Sequence, residues 1–70
     1  MIWVFHRYGK YLSCEVRTSF ENEGFEILIA RDGETNCEWY PDQEQIERRW
    51  DDLTRELRQE GWGELYEGPD

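Results

Sequence analysis

Tyr11-Leu12-Ser13-Cys14-Glu15-Val16-Arg17-Thr18-Ser19-Phe20 alternates without a break. Leu12, Cys14, Val16, Thr18 and Phe20 fall on one side of an extended chain and Tyr11, Ser13, Glu15, Arg17 and Ser19 on the other. That alternation separates an apolar face from a polar one and marks a half-buried strand. Upstream, Tyr8-Gly9-Lys10-Tyr11 places Gly at the first position of a two-residue loop, which suits a type II′ hairpin. Pairing Tyr8 with Tyr11 then sets Phe5 opposite Cys14 and Trp3 opposite Val16 on the apolar face. Downstream, the loop Glu21-Asn22-Glu23-Gly24 opposes Phe20 to Phe25, Thr18 to Ile27 and Val16 to Ile29, so parity is kept across the turn.

The turn at Arg31-Asp32-Gly33 decides the fourth strand. A two-residue loop at Asp32-Gly33 would oppose Leu28 to Cys37 and put Asn36 and Glu38 on the face of Ile27 and Ile29. Burying Glu38 without a partner costs several kcal/mol. The expected register is therefore a three-residue loop with Gly33 beside a bulge, pairing Ile29 with Thr35, Ile27 with Cys37 and Phe25 with Trp39.

Pro41 stops the strand, Asp42 is a good N-cap, and Gln45 completes a capping-box pattern. Ile46, Trp50, Leu53 and Leu57 draw one apolar stripe at helical spacing, with Glu44–Arg48 and Asp51–Arg55 as favourable surface pairs. Gly61 supplies a left-handed C′ residue and Trp62 can pack back on Leu57 as in a Schellman cap, so a helix is expected over about 43–60. The fold class is α+β: a four-stranded antiparallel meander (ββββα) with one C-terminal helix packed on one face. Residues 1–62 form the domain, and 63–70 are expected to be a flexible acidic tail because they show no period. The covered face should carry Trp3, Phe5, Leu12, Cys14, Val16, Phe25, Ile27, Ile29, Cys37 and Trp39.

The whole chain has 70 residues, with 8 Lys and Arg against 17 Asp and Glu, a net charge of 8 − 17 = −9. So short a chain supports one small core and little room for a deep substrate cavity. With 16% aromatic residues at regular spacing it should fold although 36% of it is charged. Charge is uneven: residues 1–20 carry Arg7, Lys10 and Arg17 against Glu15, a net of +2, and the remainder carries −11. No apolar run reaches the roughly 18 residues of a membrane span, and Met1–Phe5 meets charge at His6-Arg7 too early for a signal peptide. A cytoplasmic protein without membrane attachment is expected.

Chemistry-bearing patterns are sparse. Cys14 and Cys37 lack metal or redox spacing and read as small buried hydrophobes that should not bridge. His6 is the single histidine and falls on the face opposite Cys14, which excludes a Cys–His pair. Asp32-Gly33-Glu34 is explained by a turn, not a metal loop. No catalytic, metal or cofactor residues are assigned, and no enzyme is expected. The informative surface is the sheet face left without a helix, where Val4, His6, Tyr8, Tyr11, Arg17, Leu28 and Tyr40 form the candidate interaction face, beside a free edge on the first strand. The expected role is a small acidic non-catalytic interaction module that binds a protein partner or itself, as a possible homodimer. Two alternatives stand beside it. One is an acidic nucleic-acid mimic docking on a basic protein site. The other is a weak single-stranded nucleic-acid binder through the first hairpin, disfavoured because an overall −9 repels phosphate.

Overall fold

A computed structural model describes residues 1–21 and 23–69. The elements in chain order are β1 (Ile2–Arg7), β2 (Lys10–Thr18), β3 (Phe25–Arg31), β4 (Glu34–Tyr40), α1 (Gln43–Gln59) and β5 (Gly63–Gly68). The strands form one antiparallel sheet in the order β4-β3-β2-β1-β5, and α1 packs on one of its faces. The α+β class and the meander stand as expected. The last strand is new: 63–68 returns beside β1 and pairs Val4 with Tyr66 and Ile2 with Gly68, with a bulge between Val4 and Phe5. The segment expected to be a flexible tail is therefore sheet through Gly68, and β1 is an inner strand; the edges are β4 and β5. Asn22 and Asp70, which the sequence assigned to the second loop and the tail, lie outside the described residues.

Each hairpin departs from its expected register by a definite step. The first turn is Tyr8-Gly9, with φ of 48° and 76°, both left-handed as a type I′ turn requires. Phe5 accordingly faces Leu12 and Trp3 faces Cys14, two residues from the expected register. The second connection is also shifted by two, giving Thr18↔Phe25, Val16↔Ile27 and Cys14↔Ile29. A shift of two changes partners but not faces, so the core parity of β1, β2 and β3 survives.

The third hairpin is shifted by one, and there the faces exchange. Asp32 and Gly33 take φ of 53° and 78°, the same type I′ geometry, and pair Leu28 with Cys37, Ile27 with Glu38 and Phe25 with Tyr40. Cys37 and Trp39, expected in the core, are on the uncovered face and exposed, while Glu38 and Tyr40 turn toward the helix and are half-buried. The register that sequence reasoning set aside is the one adopted because Glu38 is not left unpaired. Arg49 of α1 donates to it through Nε at 2.7 Å and Nη2 at 3.1 Å, and the Tyr40 hydroxyl donates to it as well. The penalty assumed for an isolated carboxylate does not apply to a charge held by a bidentate guanidinium.

The helix follows its sequence signals closely. Asp42 caps it by accepting from the Gln45 backbone N–H at 2.9 Å. At the other end Gly61 N–H donates to Arg58 C=O and Trp62 N–H to Leu57 C=O at 2.9 Å, the paired bonds of a Schellman motif. Glu44–Arg48 pairs as expected, whereas Arg55 takes Asp52 instead of Asp51. The core consists of Phe5, Leu12, Cys14 and Ile27 from the sheet with Ile46, Leu53, Leu57 and Trp62 from the helix and its cap. Each fully buried aliphatic side chain here contributes about 1.5–3 kcal/mol of transfer free energy. Among the described residues, no helix is long and apolar enough to cross a membrane.

Candidate functional site: the uncovered sheet face

One helix covers one face, so side chains of the other parity have no layer over them. Two rows run across this face. From β5 to β4, one row is Gly68, Ile2, Glu15, Leu28 and Cys37, and the next is Tyr66, Val4, Ser13, Ala30 and Thr35. Ile2, Val4, Leu28 and Ala30 are half-buried by their neighbours alone, and Tyr66 and Tyr11 stand exposed at the margin. The apolar residues therefore fall into two groups, Ile2 and Val4 beside Tyr66 and Leu28 beside Ala30, with Ser13 and Glu15 of β2 between them.

A polar cluster closes one end. Arg17 Nη2 lies 3.6 Å from Glu26 and its Nη1 4.0 Å from Glu15, while the guanidinium sits 4.8 Å from the Phe20 ring centroid. The Cys37 thiol donates to Glu26 at 3.0 Å. That bond, reinforced by Ser19 and Arg17, holds the Glu26 carboxyl below the usual carboxylate range; the same bond and the negative charge push the Cys37 thiol up. Trp39 lies beyond, its indole Nε1 donating to the Glu23 carbonyl at 3.0 Å.

Of the seven residues assigned to this face from sequence, the structure brings Val4, His6, Tyr11, Arg17 and Leu28 onto it. Tyr8 sits in the β1–β2 turn, 90% exposed, with Arg7 over its ring at 5.2 Å. Tyr40 is a correction: the one-residue shift at Asp32-Gly33 places it on the helix side, against Glu38. Sequence reasoning missed Cys37 and Trp39 for the same reason, although the Asp-Gly dipeptide was a type I′ signal. It missed Tyr66 because β5 was not recognised.

Chemical possibilities on this face are narrow. His6 and Cys37 share it, contrary to the expected placing of Cys37, but β1 and β4 are three strand spacings apart, roughly 14 Å. Cys14 is fully buried on the other face, where burial pushes its thiol up to about 11. No group of three or more His, Cys, Asp or Glu suited to a metal ion occurs among the described residues. The cations of the first hairpin are dispersed: Arg17 is engaged by Glu15 and Glu26, and Arg7 is on the helix side. Compared with known proteins, the chain matches no family model, no curated protein and no solved structure.

Proposed function

We propose that the chain is a non-catalytic interaction module whose uncovered sheet face pairs with an apolar protein surface, namely the same face of a second copy. One observation carries the reading: this face holds the apolar groups of β1 and β3 on either side of β2 and little of the molecule's net charge. Glu15 and Glu26 against Arg17 leave it at 1 − 2 = −1, out of −9 for the chain. Stacking two such faces about 10 Å apart removes Ile2, Val4, Leu28 and Ala30 from water and keeps the acidic helices on the outside of the pair. A surface set by five short strands is small, so the association should be weak and reversible.

Sedimentation over a concentration series tests this, with a thermal melt in parallel. The wild type should self-associate and keep doing so at high salt, because screening weakens charge pairs and leaves apolar contact intact. Leu28→Lys should weaken association about tenfold or more, ~1.4 kcal/mol, by placing a charge in the contact, with little change in the melt. A wild type that stays monomeric throughout, or a Leu28→Lys variant that associates equally well with an unchanged melt, removes the reading.

A further inference from the structure

The helix-covered side holds a second feature, distinct from the open sheet face. Trp3 of β1 and Trp50 of α1 meet with ring centroids 4.2 Å apart and planes inclined by 38°. Both are only half-buried. On one side of the pair, Trp3, Val16, Ile46 and Trp50 wall a cleft of about 170 Å³ whose single charged lining residue is Glu47. On the other side, the same two tryptophans border a wider cleft with Asp51, Glu64 and Glu67, opposed only by Arg58. The four carboxylates and one guanidinium leave the surroundings at 1 − 4 = −3, and none of the four carboxylates forms an ion pair among the described residues. Asp51 is left over because Arg55 takes Asp52.

We propose that this tryptophan-walled cleft binds one arginine side chain of a basic partner protein. The chemistry follows from the walls and the rim together. A cleft of this size is too small for a drug-sized molecule and suits one side chain. An apolar anchor such as leucine would fill it but would strip water from Glu47, whose carboxylate accepts from the neutral Gln43 Nε2 at 2.9 Å and forms no ion pair among the described residues, without offering a charged donor. An arginine satisfies both parts: its aliphatic stem lies along Val16 and Ile46, its guanidinium stacks on an indole face, and its N–H groups reach the rim carboxylate. Lysine reaches the same rim but stacks less well and cannot form the bidentate pair. The overall charge of −9 brings such a partner in by long-range attraction and makes the encounter sensitive to salt.

The proposal is independent of the sheet-face pairing, which uses the opposite side of the molecule. The experiment is an NMR titration of the ¹⁵N-labelled full chain with a short glycine peptide carrying one central arginine, beside matched peptides carrying lysine or norleucine. Indole N–H signals of Trp3 and Trp50 should shift saturably with the arginine peptide, in the millimolar range, while those of Trp39 and Trp62 stay in place. The norleucine peptide should bind at least about fivefold more weakly, and Glu47→Lys, an exposed position outside the core, should weaken the arginine peptide by a similar factor with the fold unchanged. Three results overturn the proposal: no saturable shift at Trp3 and Trp50, equal binding of the norleucine peptide, or undiminished binding to Glu47→Lys.

Discussion

Arg49 grips Glu38 through two N–H groups, 2.7 and 3.1 Å from the carboxylate oxygens, and so ties the middle of the helix to an edge strand. The contact is part-buried, with 26% of the Arg49 side chain and 31% of Glu38 exposed, and Tyr40 completes it as a donor to the same carboxylate. This trio faces the part of the sheet where the apolar layer is thinnest, since β4 contributes no aliphatic residue to the core. It supplies the attachment that hydrophobic contact supplies elsewhere.

Removing one partner should therefore cost more than a surface ion pair. Arg49→Met is expected to destabilise by about 1–2 kcal/mol, because it leaves a half-buried carboxylate beside an apolar stem. Arg49 first, and Tyr40 after it, hold the Glu38 carboxyl below its usual range. A depressed pKa contributes stability that is present above the unfolded-state value, near 4.5, and is lost as pH falls through the lower folded value. Denaturant melts from pH 7 down to pH 3 should show a loss in this window that is smaller in Glu38→Gln than in the wild type.

Much of the fold was legible because its signals were local and redundant. Asp42, Gln45, Gly61 and Trp62 marked both helix ends, and the alternation of 11–20 fixed which side of three strands meets the core. The fourth strand was not legible because its face depended on a residue far along the chain: Glu38 is tolerated inward only once Arg49 arrives 11 residues later. Weighing Glu38 alone gave the wrong sign. β5 escaped because Gly63-Glu64-Leu65-Tyr66-Glu67-Gly68 is short, acidic and glycine-bounded, and its strand state comes from pairing with β1 rather than from propensity.

Two glycines with positive φ should respond very differently to alanine. At Gly9, φ is +76° and nothing lies within 4 Å of an added Cβ, so Gly9→Ala should cost only the left-handed strain, about 1 kcal/mol. At Gly24, φ is +110° and the Cβ would sit 2.4 Å from the Tyr40 carbonyl oxygen and 3.1 Å from the Trp39 indole nitrogen. Gly24→Ala should cost at least about 2–3 kcal/mol and displace Trp39, visible as a change in near-ultraviolet circular dichroism. Equal melts for the two variants would contradict the β3–β4 register.

The two thiols should separate cleanly by reactivity. Cys37 is exposed and labels in the native state, slowly near neutral pH because Glu26 holds its proton. Cys14 has no solvent-exposed surface and its pKa is raised to about 11, so it should label only on unfolding. Its protonated form is favoured in the fold, a contribution fully present below the ordinary value of 9.0 and lost as pH rises through about 11. Mass spectrometry after timed alkylation at pH 8 checks the order; comparable rates at both sites would mean that Cys14 is not in the core.

The strand that sequence reasoning overlooked gives the sharpest test of the sheet. β1 carries Ile2-Trp3-Val4-Phe5-His6, a β-prone, largely apolar segment that would be a free edge without β5. Such an edge pairs readily with other chains, and the glutamates of β5 are a poor template for that pairing. Ending the chain at Trp62 keeps the Schellman cap and the core but removes the ladder opposite β1. Amide exchange in β1 should then rise at the N–H groups that faced β5, while those facing β2 stay protected. The shortened chain should also form open-ended aggregates with increasing concentration, where the full chain stops at reversible pairing. Circular dichroism distinguishes this from general unfolding, because the helical signal of 43–59 should persist. Unchanged β1 exchange in the shortened chain would show that β5 does not pair in solution and that β1 is the edge after all.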